Sequence, residues 1–210
     1  MFAPSPRLRS VKNLERSSGQ SSPAKASVSG SLTVLGIDPG LTRCGYAVLQ
    51  VQGNTDVSLT SLGVLRTKPE DELPARLAEI AQEVDALLDQ YQPTAVAVEH
   101  IFFQSNVRTA MSVGQVSGLV LSAAARRGIE VVQYSPNQVK LAITGWGGAD
   151  KAQVQKMVKQ RLKLNTIPKP ADAADAAAIA LCHIASSPLA TKIADSVAAK
   201  NDWFAERGGA

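Results

Sequence analysis

The chain has 210 residues, of which 45% are hydrophobic, so it can form one domain with a sizeable core and an additional tail. No run reaches the ~18 consecutive apolar residues of a membrane-spanning helix, which argues against a membrane protein. Its two cysteines, Cys44 and Cys182, fit no metal-type spacing and are expected to be buried thiols in a reducing compartment.

The net charge of +4 lies entirely in residues 1–30, which hold five Lys/Arg and one Glu. The rest of the chain is neutral overall but polarised. Residues 70–99 carry a net charge of −7 and residues 126–169 a net charge of +7. A basic segment of this size indicates either a phosphate-binding face or a solvated helix face, and charge alone leaves both open.

Both ends of the chain are predicted to be tails. Residues 1–30 are rich in Ser, Arg, Lys and Pro and poor in branched apolar residues, which predicts a disordered basic tail. They lack the apolar core of a secretory signal, although they overlap in composition with organelle transit peptides. We expect a folded domain over 31–188, a flexible tail over 189–210 and a cytoplasmic protein.

From residue 31 onward, strand and helix patterns alternate. The first strand is "LTVLGID", a continuous apolar run typical of burial on both faces. "CGYAVLQV" and "VSLTSLGVLRT" follow, joined by the turn cluster "QGNTD", and the three predict an antiparallel meander. Two further strands, "TAVAVEH" and "IEVVQYS", are separated by the helical segment "NVRTAMSVGQVSGLVLSAAARRG".

Helical periodicity completes this order. In "ELPARLAEIAQEVDALLDQY" the apolar residues Leu77, Ile80, Val84, Leu87 and Leu88 share one helical face. Two or three more helices are predicted, around 136–144, 151–163 and 170–187, the last with Pro170 in its first turn. The order βββ-α-β-α-β-ααα predicts an α/β fold, with a mixed five-stranded sheet and helices on both faces.

Four carboxylates stand out within apolar surroundings. Asp38 ends the first strand and Glu99 ends the fourth, and the carboxyl ends of neighbouring parallel strands meet at one edge of a sheet. Asp172 and Asp175, three residues apart, share a face near the N-terminus of the last helix. Taken singly, Asp38 is consistent with a turn cap, and the two helical acids with favourable helix-dipole positions.

Jointly, these acids predict a site for divalent cations. Buried carboxylates that repel one another need a counter-charge. Oxygen ligands suit Mg²⁺ or Mn²⁺, so neither histidine is required. Two such ions about 4 Å apart would serve phosphodiester hydrolysis, one activating water and the other stabilising the leaving oxygen.

Four segments resemble the motifs of the RuvC-type Holliday junction resolvases: "LGIDPGLTRCGYAV", "AVEHIFFQSN", "QVKLAITGWGGADKAQVQKMV" and "DAADAAAIALCH". They occur in the family's order over residues 32–187. The resemblance implies an RNase H-like fold and a Mg²⁺-dependent homodimer. It also implies paired symmetric nicks in two opposed strands of a four-way DNA junction during recombination and repair. The implied partners are a junction-binding protein and a branch-migration ATPase, of the RuvA and RuvB types.

The resemblance also assigns residues. Asp38, Glu99, Asp172 and Asp175 fall on the family's four catalytic, metal-binding acids, implying two ions per subunit. Phe102 falls on the aromatic residue that stacks on junction bases. Lys140 and Lys151 fall on basic positions linked to phosphate contact and catalysis. His100 stands where relatives often have Gln, a mild departure.

Other residues in these motifs have two interpretations. Phe102 and Phe103 in "HIFFQSN" are consistent with a base-stacking surface or with packing in a core or dimer interface. His100 is expected to be structural, and His183 to be a core or surface residue. Trp146 in "GWGG" is expected to pack a loop, with DNA contact as the alternative.

Three rival functions remain at this point. "GIDPGLTRCG" also resembles the first phosphate loop of sugar kinase and Hsp70-type ATPases, but a second Gly-rich phosphate loop is missing and "DAAD" would be unexplained. The second rival is a junction-binding module without activity. Retention of all four acids argues against it. The third rival is an RNase H-like nuclease acting on structured RNA.

Overall fold

The computed structural model describes residues 32–52, 56–100 and 107–187. Within these ranges, five strands and five helices follow one another in the predicted order βββ-α-β-α-β-ααα. The strands are β1 Leu32–Asp38, β2 Arg43–Gln52, β3 Asp56–Arg66, β4 Ala95–Glu99 and β5 Glu130–Tyr134. The helices are α1 Leu73–Tyr91, α2 Val107–Arg126, α3 Pro136–Thr144, α4 Lys151–Arg161 and α5 Ala171–Ser186.

The strands form one mixed sheet in the order β3-β2-β1-β4-β5. The antiparallel pairs β1–β2 and β2–β3 confirm the predicted meander. Strand β4 lies parallel to β1 on one side and to β5 on the other. The first and fourth strands are therefore parallel neighbours, and their carboxyl ends meet at one edge of the sheet.

Helices cover both faces of the sheet, as predicted. One core joins the sheet to α1 and α2 through residues such as Ile80, Val84 and Val120. The other joins the opposite face to α3, α4 and α5 through residues such as Ile143, Val158 and Ile179. The predicted apolar face of α1 is buried, since Ile80, Val84, Leu87 and Leu88 are all in the core.

Strand periodicity decides which face each acid lies on. In β1, Val34 packs in the α3–α5 core, whereas Leu35 and Ile37 pack in the α1–α2 core. Because side chains alternate along a strand, Asp38 is on the same face as Val34. Glu99 shares the face of Ala97, which also packs with α5. Both carboxylates therefore lie on the side of the sheet that α5 covers.

Helix α5 lies unusually close to the sheet because both surfaces are made of small residues. A Cβ placed on Gly36 would lie 2.2 Å from the carbonyl oxygen of Ala176, and one on Gly45 would lie 2.1 Å from that of Asp172. Gly45 is also the β2 partner of Asp38. These contacts place the first turn of α5 directly beside the end of β1.

The structure also tests smaller predictions about the start of α5, the cysteines and membrane-spanning helices. Pro170 is the N-cap of α5 instead of lying in its first turn, because the helix begins at Ala171. Cys44 and Cys182 are free and buried, as predicted. Over the described residues, no helix is long and apolar enough to cross a membrane. The predicted tails 1–30 and 189–210, together with Phe102 and Phe103, lie outside the described residues.

The charge polarity along the chain becomes a polarity across the sheet. The acidic segment includes α1, whose Asp85 and Asp89 bind Arg127 just beyond α2. The basic segment forms α3 and α4, which pack beside α5 on the opposite face. The carboxylate edge is therefore flanked by the basic side of the domain.

Candidate active site

Asp38 and Glu99 meet where β1 and β4 end. Ile37 and Val98 are partners in the parallel ladder, so the next residue on each strand is a carboxylic acid. Both side chains are only partly exposed. Burial and the charge of Asp175 raise the pKa of Glu99, against the smaller effect of a hydrogen bond with the Asp38 side chain, which lowers it.

Asp172 and Asp175 complete the cluster from α5. Asp172 lies in the first turn of the helix, where the helix dipole favours a negative charge. Each side chain keeps 27% of its surface exposed, whereas Ala173 and Ala174 between them are buried. The two acids therefore lie at the edge of the α5–sheet contact, facing the end of β1.

The electrostatics of Asp38 show how tightly the acids are grouped. Burial, followed by the charges of Glu99, Asp175 and Asp172, raises the pKa of Asp38 from 3.8 to about 8. Burial and the charge of Asp175 also raise the pKa of Glu99. A group with so high a pKa stays protonated near neutral pH unless a cation compensates its charge.

Two cations lie at the rim of this cluster. Arg43, at the start of β2, donates from Nε and Nη2 to Oδ2 of Asp172, the Nε bond being 2.7 Å long. Lys151, the first residue of α4, donates from Nζ to Oδ2 of Asp175 over 2.6 Å. The charge of Lys151 also lowers the pKa values of Asp38 and Glu99.

The donor set fits a hard divalent cation in its chemistry. It consists of carboxylate oxygens, two of which carry raised pKa values that a bound cation would lower by displacing the proton. Across the described ranges, however, no three Asp, Glu, His or Cys side chains form a ready-made metal cage. Arg43 and Lys151 each bind one oxygen of a helical acid.

The basic residues differ in their placement. Lys151 lies within the cluster, held by the start of α4, where Asp150 and Gln153 form a capping box. Lys140 is half-buried on α3, one helix away, and its assigned phosphate contact stays a prediction. The base-stacking role of Phe102 also stays a prediction, since that residue lies outside the described ranges.

Arg43 is the site residue that the sequence analysis missed. It lies five residues after Asp38 within the motif "DPGLTRCG". The sequence did contain a sign of this role. Arg43 begins an otherwise apolar strand near a suspected carboxylate cluster, and such an arginine needs an acidic partner. What the sequence did not give was the partner, which lies 129 residues away.

The two histidines have different surroundings. His183 is buried, and its Nδ1 is 3.0 Å from the hydroxyl oxygen of Tyr134 at the end of β5. Burial lowers the pKa of His183, so the imidazole stays neutral. It is a structural core residue, one of the two roles expected for it. His100 is exposed just beyond β4, and its backbone N–H donates to the carbonyl of Tyr134.

This sheet order, with one carboxylate at the end of each of two adjacent parallel strands and a second pair on helix α5, defines an RNase H-like nuclease. A family model described as crossover junction endodeoxyribonuclease RuvC matches residues 34–183. The chain belongs to that family and is a metal-dependent hydrolase of phosphodiester bonds.

Individual relatives agree with this assignment. The chain is 50% identical to RuvC of Saccharopolyspora erythraea over 80% of its own length and 84% of the relative's. It is 48% identical to RuvC of Streptomyces avermitilis, over 80% of this chain and 95% of that one.

Solved structures confirm the fold. The Thermus thermophilus RuvC structure matches with a TM-score of 0.71 and 39% identity, over 76% of this chain and 98% of that chain. The same protein in complex with a Holliday junction substrate matches with a TM-score of 0.72 and 39% identity, over 76% and 97%. The predicted RNase H-like fold class is therefore correct.

Proposed function

We propose that this protein is a structure-specific endonuclease that resolves Holliday junctions during recombination and DNA repair. It makes paired symmetric nicks in two opposed strands. The observation that carries the proposal is the meeting of Asp38, Glu99, Asp172 and Asp175 at one edge of the sheet, with the pKa of Asp38 raised to about 8. A relative solved with a Holliday junction substrate has the same fold at 39% identity, which supports the choice of DNA.

The proposed cofactor is Mg²⁺, replaceable by Mn²⁺, with two ions per subunit held by these four acids. When bound, such ions activate the attacking water and stabilise the leaving oxygen. The chain itself contributes a fixed, partly desolvated set of oxygen donors. The close contact of Gly45 with the backbone of Asp172 holds the α5 acids at the end of β1.

The rim cations are proposed to orient the DNA backbone. Arg43 and Lys151 keep 40% and 61% of their side-chain surface exposed while bound to Asp172 and Asp175. Each therefore has donors that can reach a phosphate oxygen beside the acids. Lys140 would add a phosphate contact from α3, on the basic side of the domain.

A homodimer is part of the proposal, because two opposed nicks need two sites related by symmetry. Helix α2 supplies a suitable surface. Met111 is 58% exposed, and a Cβ placed on Gly114 or Gly118 would meet no atom within 4 Å. An open face of small residues beside an exposed methionine permits close helix–helix contact between two copies.

The proposal also covers the domain bounds, the partner proteins and the location in the cell. Residues 31–188 would be the nuclease domain, with tails at 1–30 and 189–210. Partners of the RuvA and RuvB types would present the junction and move its branch point. The enzyme would act on genomic DNA, and the cytoplasm is its proposed location.

The test is incubation with a synthetic four-way DNA junction, with and without Mg²⁺, analysed on a denaturing gel. We expect symmetric nicks in two opposed strands, only with metal. A linear duplex of the same sequence and a structured RNA serve as parallel substrates. Preferential cutting of the RNA, or junction binding without any cleavage, would overturn the proposal in favour of one of its rivals.

A further inference from the structure

The loop between α3 and α4 exposes an aromatic residue that has no role in the proposed metal-dependent cleavage. Trp146 has 61% of its surface exposed, more than any other large hydrophobic residue in the described part of the chain. The sequence favoured packing of a loop for this residue. An exposed indole is a candidate surface for a ligand, because an aromatic face gains free energy when it is covered.

The loop holds Trp146 in a fixed place. The hydroxyl of Thr144 accepts from the backbone N–H of Trp146 over 3.2 Å and donates to its carbonyl oxygen over 2.9 Å. A Cβ placed on Gly148 would lie 2.6 Å from Cζ2 of the indole, so the ring packs against that glycine. Ala149, buried in the α3–α5 core, anchors the far side of the loop. A ring already ordered in this way loses little conformational entropy on binding.

The same loop leads directly into the carboxylate cluster. Trp146 precedes by five residues Lys151, whose Nζ binds Asp175. Five residues span at most about 18 Å, roughly five base steps along one DNA strand. The ring can therefore reach a nucleotide close to the bond that the acids would cut.

The charge around the loop favours a nucleic acid as the occupant. Trp146 lies within residues 136–169, which hold seven Lys/Arg and one Asp and so carry a net charge of +6. Lys140 is on the helix before the loop, and Arg161 on the helix after it reaches back to the carbonyl oxygen of Ala142 over 3.0 Å. An exposed aromatic ring on a basic segment is the combination that binds unstacked bases while the phosphates contact the positive charges.

We propose that Trp146 stacks on an unstacked base of the bound DNA junction, beside the strand that the carboxylate cluster cuts. This inference rests on the proposed function and adds a base contact supplied by the α3–α4 loop. It is separate from the contact predicted for Phe102, which belongs to the segment after β4.

Fluorescence tests the contact directly. The chain has two tryptophans, Trp146 and Trp203, so Trp203→Phe leaves Trp146 as the sole indole. Titration of that variant with a four-way junction in EDTA should quench the emission saturably, and a linear duplex should quench it less. Unchanged emission at saturating junction, with binding verified by gel shift, overturns the inference.

Substitutions test the energetic contribution. Trp146→Ala should weaken junction binding roughly 5- to 150-fold, the range expected for loss of one base–aromatic stack. Trp146→Phe should restore most of the loss, and Trp146→Leu should not, because stacking needs a π face and apolar burial does not. Equal binding by the Phe and Leu variants would overturn the proposal in favour of an apolar contact.

A matched control separates local from general effects. Leu73→Ala removes an exposed apolar side chain, 39% exposed, from the N-terminus of α1 across the sheet, and should leave binding unchanged. Failure of the wild-type protein to cut any junction would count against the proposed function. Normal cutting by wild type, with unaltered binding by Trp146→Ala, would count against the stacking contact alone.

Discussion

Arg43 donates two hydrogen bonds to a single oxygen of Asp172, from Nε over 2.7 Å and from Nη2. Both bonds end on Oδ2, so they orient the carboxylate and leave Oδ1 outside the ion pair. This contact joins the start of β2 to the first turn of α5, 129 residues apart in the chain. It fixes the orientation of a proposed metal ligand from outside the carboxylate cluster.

Arg43→Ala should therefore lower cleavage roughly 10- to 100-fold, the usual effect of removing a partner that orients a metal ligand. Arg43→Lys should recover part of the rate only, because an ammonium group cannot reproduce the two guanidinium bonds. The melting temperature should change little, since exposed ion pairs contribute about 0–1 kcal/mol. Single-turnover cleavage and a Mg²⁺ titration measure both effects; wild-type kinetics in Arg43→Ala would show that the ion pair is incidental.

Asp38→Asn should abolish cleavage and retain junction binding. The substitution removes one carboxylate from the proposed metal site, while the proposed phosphate contacts come from Lys151 and the basic helices. Loss of metal assistance should remove several kcal/mol of transition-state stabilisation, so a variant within ~10-fold of wild type would contradict the assignment of Asp38. Gel shift and cleavage on the same junction provide the two measurements.

Asp38→Asn should also stabilise the metal-free protein against unfolding, and this gain in stability should grow as pH rises. The pKa of Asp38 is raised from 3.8 to about 8, so between these values the folded protein holds a proton that the unfolded chain has released. Stability of the wild type therefore falls as pH rises through this window, and Asp38→Asn removes that loss.

Melting temperatures measured in EDTA test the predicted pH dependence of this stability difference. The advantage of Asp38→Asn over wild type should be small at pH 5 and largest at pH 8 and above. Asp71→Asn, which neutralises an exposed carboxylate before α1, is the control and should show no such trend. Added Mg²⁺ should raise the melting temperature of the wild type more than that of Asp38→Asn. An advantage that shrinks as pH rises would contradict the burial of Asp38.

Gly45→Ala should damage stability and activity together. Its Cβ would lie 2.1 Å from the backbone oxygen of Asp172, so α5 must move away from β2. Overpacking of this kind costs about 1–3 kcal/mol, and the movement displaces both helical acids. Gly147→Ala is the matched control, because its nearest neighbour would be 3.9 Å away. Thermal unfolding with cleavage assays measures both effects, and an unaltered Gly45→Ala would refute the close contact.

Phe102→Ala should lower cleavage without changing Mg²⁺ binding or the melting temperature. Phe102 follows Glu99 by three residues, which keeps it near the proposed metal site. An aromatic face contributes ~1–3 kcal/mol per stacked base, so the loss should be largest on fully paired junctions. Junctions with mismatches at the exchange point are already partly unstacked and should lose less. An equal loss on both substrates, or a lower melting temperature, would identify Phe102 as a packing residue.

The sequence by itself determined the order of the elements and the position of each acid at a strand end or on one helix face. These features follow from local rules. Alternation along β1 and β4 puts Asp38 and Glu99 on one face, and the three-residue spacing of Asp172 and Asp175 puts both on one side of α5. Parallel pairing of β1 with β4 was then enough to bring the strand ends together.

Only the tertiary structure decided what surrounds each of these residues. Arg43 binds Asp172, which is 129 residues away in the chain, and Gly45 touches the backbone of Asp172. Both contacts depend on how closely α5 approaches the sheet. The raised pKa of Asp38 depends on the same approach, because burial and the field of the other acids appear only once the chain is folded. The exposure of Trp146 was likewise a matter of packing. Local sequence patterns specify periodicity, whereas desolvation and ion pairing are set by distances in space between residues far apart in the chain.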